Sequence, residues 1–154
     1  METIAKTCSL SAVAAVFGAV ILTATCALAG MRGADAAPMM AAATLNAAQE
    51  VPPNSSSATG QSTIMVAADK SVSGGVSFSG MKATVAHIHE AAAKGANGPV
   101  IVTLTKTSET MFAVPEGTKL TDKQYASYKA GNLYVNVHSA AHPGGEIRVQ
   151  LSPE

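Results

Sequence analysis

The chain has 154 residues, ten Lys and Arg against ten Asp and Glu, and two cysteines. A formal charge of zero, with charged side chains scattered singly, excludes the basic surface that a nucleic-acid partner needs. Cys8 and Cys26 both lie in the N-terminal apolar stretch, so the remainder has no thiol for a disulfide, a thiolate metal site or a cysteine nucleophile.

Residues 1–36 read as an export signal: Lys6, an apolar run from Leu10 through Ile21 to Leu28, then small residues at cleavage spacing. Ala34 and Ala36 favour cleavage after Ala36, while Ala27 and Ala29 offer an earlier site after Ala29. The run from Ser9 to Ala29 is about 21 residues, and a bilayer span takes roughly 20. An uncleaved anchor is therefore the alternative, and only then is a membrane a partner. Cys26 suggests a lipoprotein as a less favoured alternative, because Thr23 and Thr25 stand where a lipobox prefers an aliphatic and a small Gly or Ala. The expected location is periplasmic or secreted. Residues 37–43, with Met39 and Met40 among alanines, read as a flexible segment, and 44–152 as one domain. The mature part, about 115 residues, is long enough to bury a core unaided.

From Thr44 the hydrophobic period is that of strands. Runs at 61–68, 72–78, 84–90, 100–105, 133–138 and 146–151 alternate with turn signals, which predicts an all-β, Greek-key-like antiparallel β-sandwich. Pro52, Pro53 and the serines at 55–57 make a long loop, and Ser73, Gly74 and Gly75 a bend or bulge. One short helix, about 121–130, interrupts the pattern, with Thr121 as N-cap and Gly131 as stop. In the last two strands Leu133, Val135, Val137, Ile147, Val149 and Leu151 form an apolar face. Tyr134, Asn136, His138, Arg148 and Gln150 form a polar one.

All four histidines fall in two clusters, His87 with His89 and His138 with His142. Side chains at i and i+2 leave one face of a strand, so His87 and His89 can present two imidazoles to one ion. The second cluster can complete the sphere if the fold brings the strands together, with His142 hanging from the loop at 139–145. Glu90 or Glu146 would hold the second ring nitrogens. With nitrogen ligands alone, the Irving–Williams order favours copper(II), with zinc as the less favoured ion. The methionines at 39, 40, 81 and 111 have no spacing that links them to this set. No nucleophile with an adjacent base, no phosphate loop and no carboxylate pair stands out, so neither catalytic nor organic-cofactor residues are assigned.

The segments TLNAAQEVPP at 44–53, AHIHEAAAKGANGPV at 86–100 and NLYVNVHSAAHPGGEIRVQL at 132–151 together resemble the CHRD domain, found as repeats in chordin and singly in exported bacterial proteins. The resemblance implies an all-β sandwich outside the cytoplasm, in a group whose bacterial members mostly lack an assigned activity. His87, His89 and His138 match the family pattern, whereas position 142 commonly varies and Val149 stands where the family usually has glycine. A local likeness of the His87–Glu90 run to the copper-ligand strand of copper-zinc superoxide dismutase lacks that enzyme's disulfide cysteines and zinc-site pattern. The leading reading is thus an exported, non-catalytic protein that binds a transition metal, copper before zinc. One alternative is a β-module whose polar face, with Tyr134, Asn136, Arg148 and Gln150, meets a protein partner or a second copy as a homodimer. The other is a copper redox enzyme resembling superoxide dismutase.

Overall fold

The computed structural model describes residues 42–153; the expected leader and residues 37–41 lie outside them. In chain order the strands are β1 (Ala43–Asn46), β2 (Thr59–Ser62), β3 (Met65–Val66), β4 (Val72–Ser73), β5 (Gly75–Ser79), β6 (Ala83–Glu90), β7 (Val100–Thr103), β8 (Thr105–Ser108) and β9 (Met111–Ala113). Helix α1 (Asp122–Lys129), β10 (Leu133–Ser139) and β11 (Ile147–Leu151) complete the set. Nine strands make one antiparallel sheet in the order β7-β6-β10-β11-β1-β2-β5-β9-β8, and β3 pairs with β4 separately.

The two ends of that sheet are successive pieces of chain. β7 pairs with β6 and β8 pairs with β9, and only Leu104 separates β7 from β8. Leu104 is buried and its N–H donates to Ala86 O at 2.9 Å, so one bent segment serves both edges and the sheet curls almost closed. Closure of this kind removes the open edge at which sheets aggregate. The all-β antiparallel fold with one short helix is as expected, its layers being parts of a single sheet.

Two expected strands are each divided. Gly74, at φ +90°, turns the run 72–78 into β4 and β5, and the facing run 61–68 divides into β2 and β3. The helix forms where its cap signals stand: Thr121 Oγ1 accepts from Gln124 N–H at 3.2 Å while Gln124 Oε1 accepts from Thr121 N–H at 2.8 Å.

The core lies inside the curl, where Leu133, Val135 and Val137 of β10 meet Ile147, Val149 and Leu151 of β11 and Ala86 and Ile88 of β6. The apolar face of the last two strands is therefore read correctly. Its polar counterpart is not a free surface. Tyr134, Asn136 and Arg148 are 3%, 2% and 1% exposed, because the chain's own loops cover them. A protein partner has no access to those three side chains, which corrects the face expected to meet one.

Candidate metal centre

β6 and β10 are antiparallel neighbours in a register that sets Asn136 opposite His87 and Tyr134 opposite His89. His138, two residues beyond Asn136 on β10, shares its face. Strand alternation alone thus puts His87, His89, Asn136 and His138 on one patch. The imidazoles of His87, His89 and His138 converge, each offering a nitrogen such that all three lie within 4.8 Å of one another. His87 Nδ1 is 3.1 Å from His138 Nε2. Two nitrogens bound to one ion at 2.0–2.1 Å, at angles between a right angle and the tetrahedral value, sit about 2.9–3.4 Å apart. The observed separation matches adjacent ligands.

Each buried ring is oriented by a backbone carbonyl. His138 Nδ1 lies 2.9 Å from Pro143 O, which leaves Nε2 to accept from His87 Nδ1 at 3.1 Å or to bind an ion. His89 Nδ1 lies 2.9 Å from Gly98 O, leaving Nε2, which is 3.0 Å from Asn136 Oδ1. Carbonyl orientation of this kind fixes the tautomer and raises ligand basicity. The carboxylates expected in this role are engaged elsewhere: Glu90 accepts from Ser127 Oγ and Glu146 from Ser56 Oγ, both at 2.6 Å.

The loop 91–99 makes the Gly98 contact because residue 98 has no side chain. A Cβ there would sit 1.9 Å from Glu90 O, so any other residue would lift the loop off β6. Arg148 fastens the same loop, donating from Nη1 to Asn97 Oδ1 at 3.1 Å and from Nη2 to Ala96 O at 2.9 Å. Its guanidinium lies 3.4 Å from the centre of the Tyr134 ring, and Tyr134 stacks on His89 with 3° between planes. Since β11 and β6 flank β10 on opposite sides, Tyr134 is held between the cation and the imidazole.

Burial lowers all three histidine pKa values from 6.5. For His87 the neighbouring charges of His138 and His89 add to it, whereas the acceptor oxygens of Gly98 and Asn136 at His89, and of Pro143 at His138, oppose it. The rings therefore stay unprotonated, as ligands must be, to lower pH than a free histidine.

The structure brings His87, His89 and His138 together and leaves His142 out of the group that can hold an ion. His142 lies in the 139–145 loop, half-buried, its carbonyl accepting from Gly145 N–H at 3.1 Å. Two neighbours were missed in the sequence. Asn136 carried a signal, sharing strand parity with His138. Glu50 carried none, since a loop residue far along the chain has no periodicity to place it. The residue is 5% exposed, and its Oε1 is buried without a hydrogen-bond partner among the described residues. Burial pushes its pKa up to about 7 against the lowering effects of Arg148, the Asn136 side chain and the Val51 backbone.

The CHRD domain family's model matches residues 41–151. No curated protein and no solved structure matches the chain.

Proposed function

This chain belongs to the CHRD-domain family, and on that premise we propose that it is an exported protein that binds copper through His87, His89 and His138. The observation that carries the reading is the convergence of three imidazoles from two adjacent strands, two of them with a carbonyl already turned to one nitrogen. A polar cluster of this sort is costly to bury, and the contact of His87 Nδ1 with His138 Nε2 at 3.1 Å offsets only part of that cost. A cation among them offsets that cost. The donor set of nitrogens without thiolate favours Cu(II) over Zn(II). His142 contributes little. Export rests on the leader-like residues 1–36.

Calorimetric titration of the mature domain tests the metal. Cu(II) binds more tightly than Zn(II), replacing His87 and His89 together by alanine abolishes tight binding, and His142→Ala has a small effect. Affinity falls on acidification only below the usual histidine range, because burial lowers the three pKa values. Equal copper affinity in parent and double variant would make the cluster purely structural. Mass spectrometry of the exported protein tests the leader, with a mature N-terminus expected between Gly30 and Ala37. An intact Met1 terminus in membranes would replace the signal by an anchor.

A further inference from the structure

His89 meets an oxygen at each ring nitrogen, Gly98 O at Nδ1 and Asn136 Oδ1 at Nε2. A neutral imidazole donates from one nitrogen only. With its proton directed at the Gly98 carbonyl, the lone pair on Nε2 faces the oxygen of Asn136 across 3.0 Å. Asn136 Nδ2 lies on the Glu50 side of the amide, so turning the amide over would give up its contact with that carboxyl. A cation between Nε2 and Oδ1 removes the conflict without any rearrangement.

We propose that the Asn136 carboxamide oxygen is a ligand of the same ion as His87, His89 and His138, with the buried Glu50 carboxyl holding the amide from behind. The proposal rests on the metal reading above and adds an oxygen donor to it. Three features argue for it. The 3.0 Å from His89 Nε2 to Asn136 Oδ1 is, like the 3.1 Å from His87 Nδ1 to His138 Nε2, the spacing of adjacent donors on one ion. Asn136 lies opposite His87 in the β6–β10 register and two residues before His138, inside the patch rather than at its rim. Glu50 and the amide nitrogen of Asn136 also converge on one point, since a Cβ on Gly145 would lie 2.5 Å from Glu50 Oε1 and 2.7 Å from Asn136 Nδ2. A Glu50 carboxyl oxygen behind the amide NH2 accepts from Asn136 Nδ2 and so turns Oδ1 toward the imidazoles. The ligand class is a divalent first-row transition ion bound by three imidazoles and one amide oxygen, with Asn136 in the place that the sequence offered to His142.

The test uses the mature protein with Zn(II) or Cu(II) alone. A crystal structure of the loaded parent is expected to place Asn136 Oδ1 about 2.0–2.2 Å from the ion. Asn136→Leu is expected to weaken Zn(II) binding about 10- to 100-fold, the range seen when supporting groups of metal sites are removed. Asn136→Asp, which keeps the oxygen, stays within about tenfold of the parent. An ion held by three imidazoles with Oδ1 more than about 3 Å away would overturn the proposal, as would parent-like affinity in a folded Asn136→Leu. Should that variant fail to fold, the loaded parent decides. A parent that takes up neither ion removes the metal reading and this proposal together. Binding that is lost in the His87, His89 double variant but indifferent to Asn136→Leu removes this proposal alone.

Discussion

The two faces of β10 are equally buried and oppositely made. Leu133, Val135 and Val137 look into an apolar core at 0% exposure, while Tyr134, Asn136 and His138 are at 3%, 2% and 7% under a layer of loops. The apolar face gains its stability without regard to direction, from area removed from water. Every group on the polar face must instead find a partner of correct geometry, and its buried ions are weak contributors to net stability even when well paired. A protein that needed only stability would have two faces of the first kind. On the second kind three imidazoles converge that could hold a metal ion, under covering loops tied down by Arg148.

That contrast breaks most directly at Arg148. Arg148→Ala removes the two hydrogen bonds that anchor the 91–99 loop and the cation over Tyr134, and it is expected to cost about 3 kcal/mol or more, hydrogen bonds to a charged group contributing roughly 1.5–3 kcal/mol each. Urea denaturation measures it. On the other face Val135→Ala deletes two buried methyl groups' worth of packing, about 2 kcal/mol with the cavity included. If Arg148→Ala proves the milder of the two, the polar face is a loose cover and the comparison fails.

A finer distinction lies in pH. Glu50 has a folded pKa of about 7 against an ordinary 4.5, so between those values the unfolded chain has released a proton that the folded chain keeps. Stability conferred by this group is present below 4.5 and lost as pH rises toward 7. The three histidines act with the opposite sign. Their folded pKa values lie below 6.5, so their contribution is present above 6.5 and lost as pH falls below it. Glu50→Gln is expected to remove the decline between pH 5 and pH 7 and leave the acid-side loss in place. Parallel urea midpoints for parent and variant across that range would show that Glu50 is not buried as a neutral acid. The smallest effect belongs to His142→Ala. Only backbone atoms of His142 make hydrogen bonds in the 139–145 loop, and the change is expected to stay within about 0.5 kcal/mol in thermal unfolding.

The order of strands β6, β7, β10 and β11, the capped helix and the apolar face of the last hairpin were all legible in the chain, because period-2 alternation and capping chemistry are local. The paired histidines at 87 and 89 were legible for the same reason. The division of the runs at 61–68 and 72–78 was only half legible, since Gly74 announces a bend without saying that the sheet would release β3 and β4 there. What the sequence could not decide was burial of the polar face. Alternation says that Asn136 and His138 leave the strand together, but it does not say whether water or a loop meets them. Loop 91–99 on His89, Pro143 on His138 and Glu50 behind Asn136 are contacts between residues far apart in sequence or held in irregular backbone, which carry no period. Local chemistry chose the residues that face one another across β6 and β10. Only the tertiary fold, by laying those loops over them, decided that they form an interior site with lowered histidine pKa values instead of a wet surface.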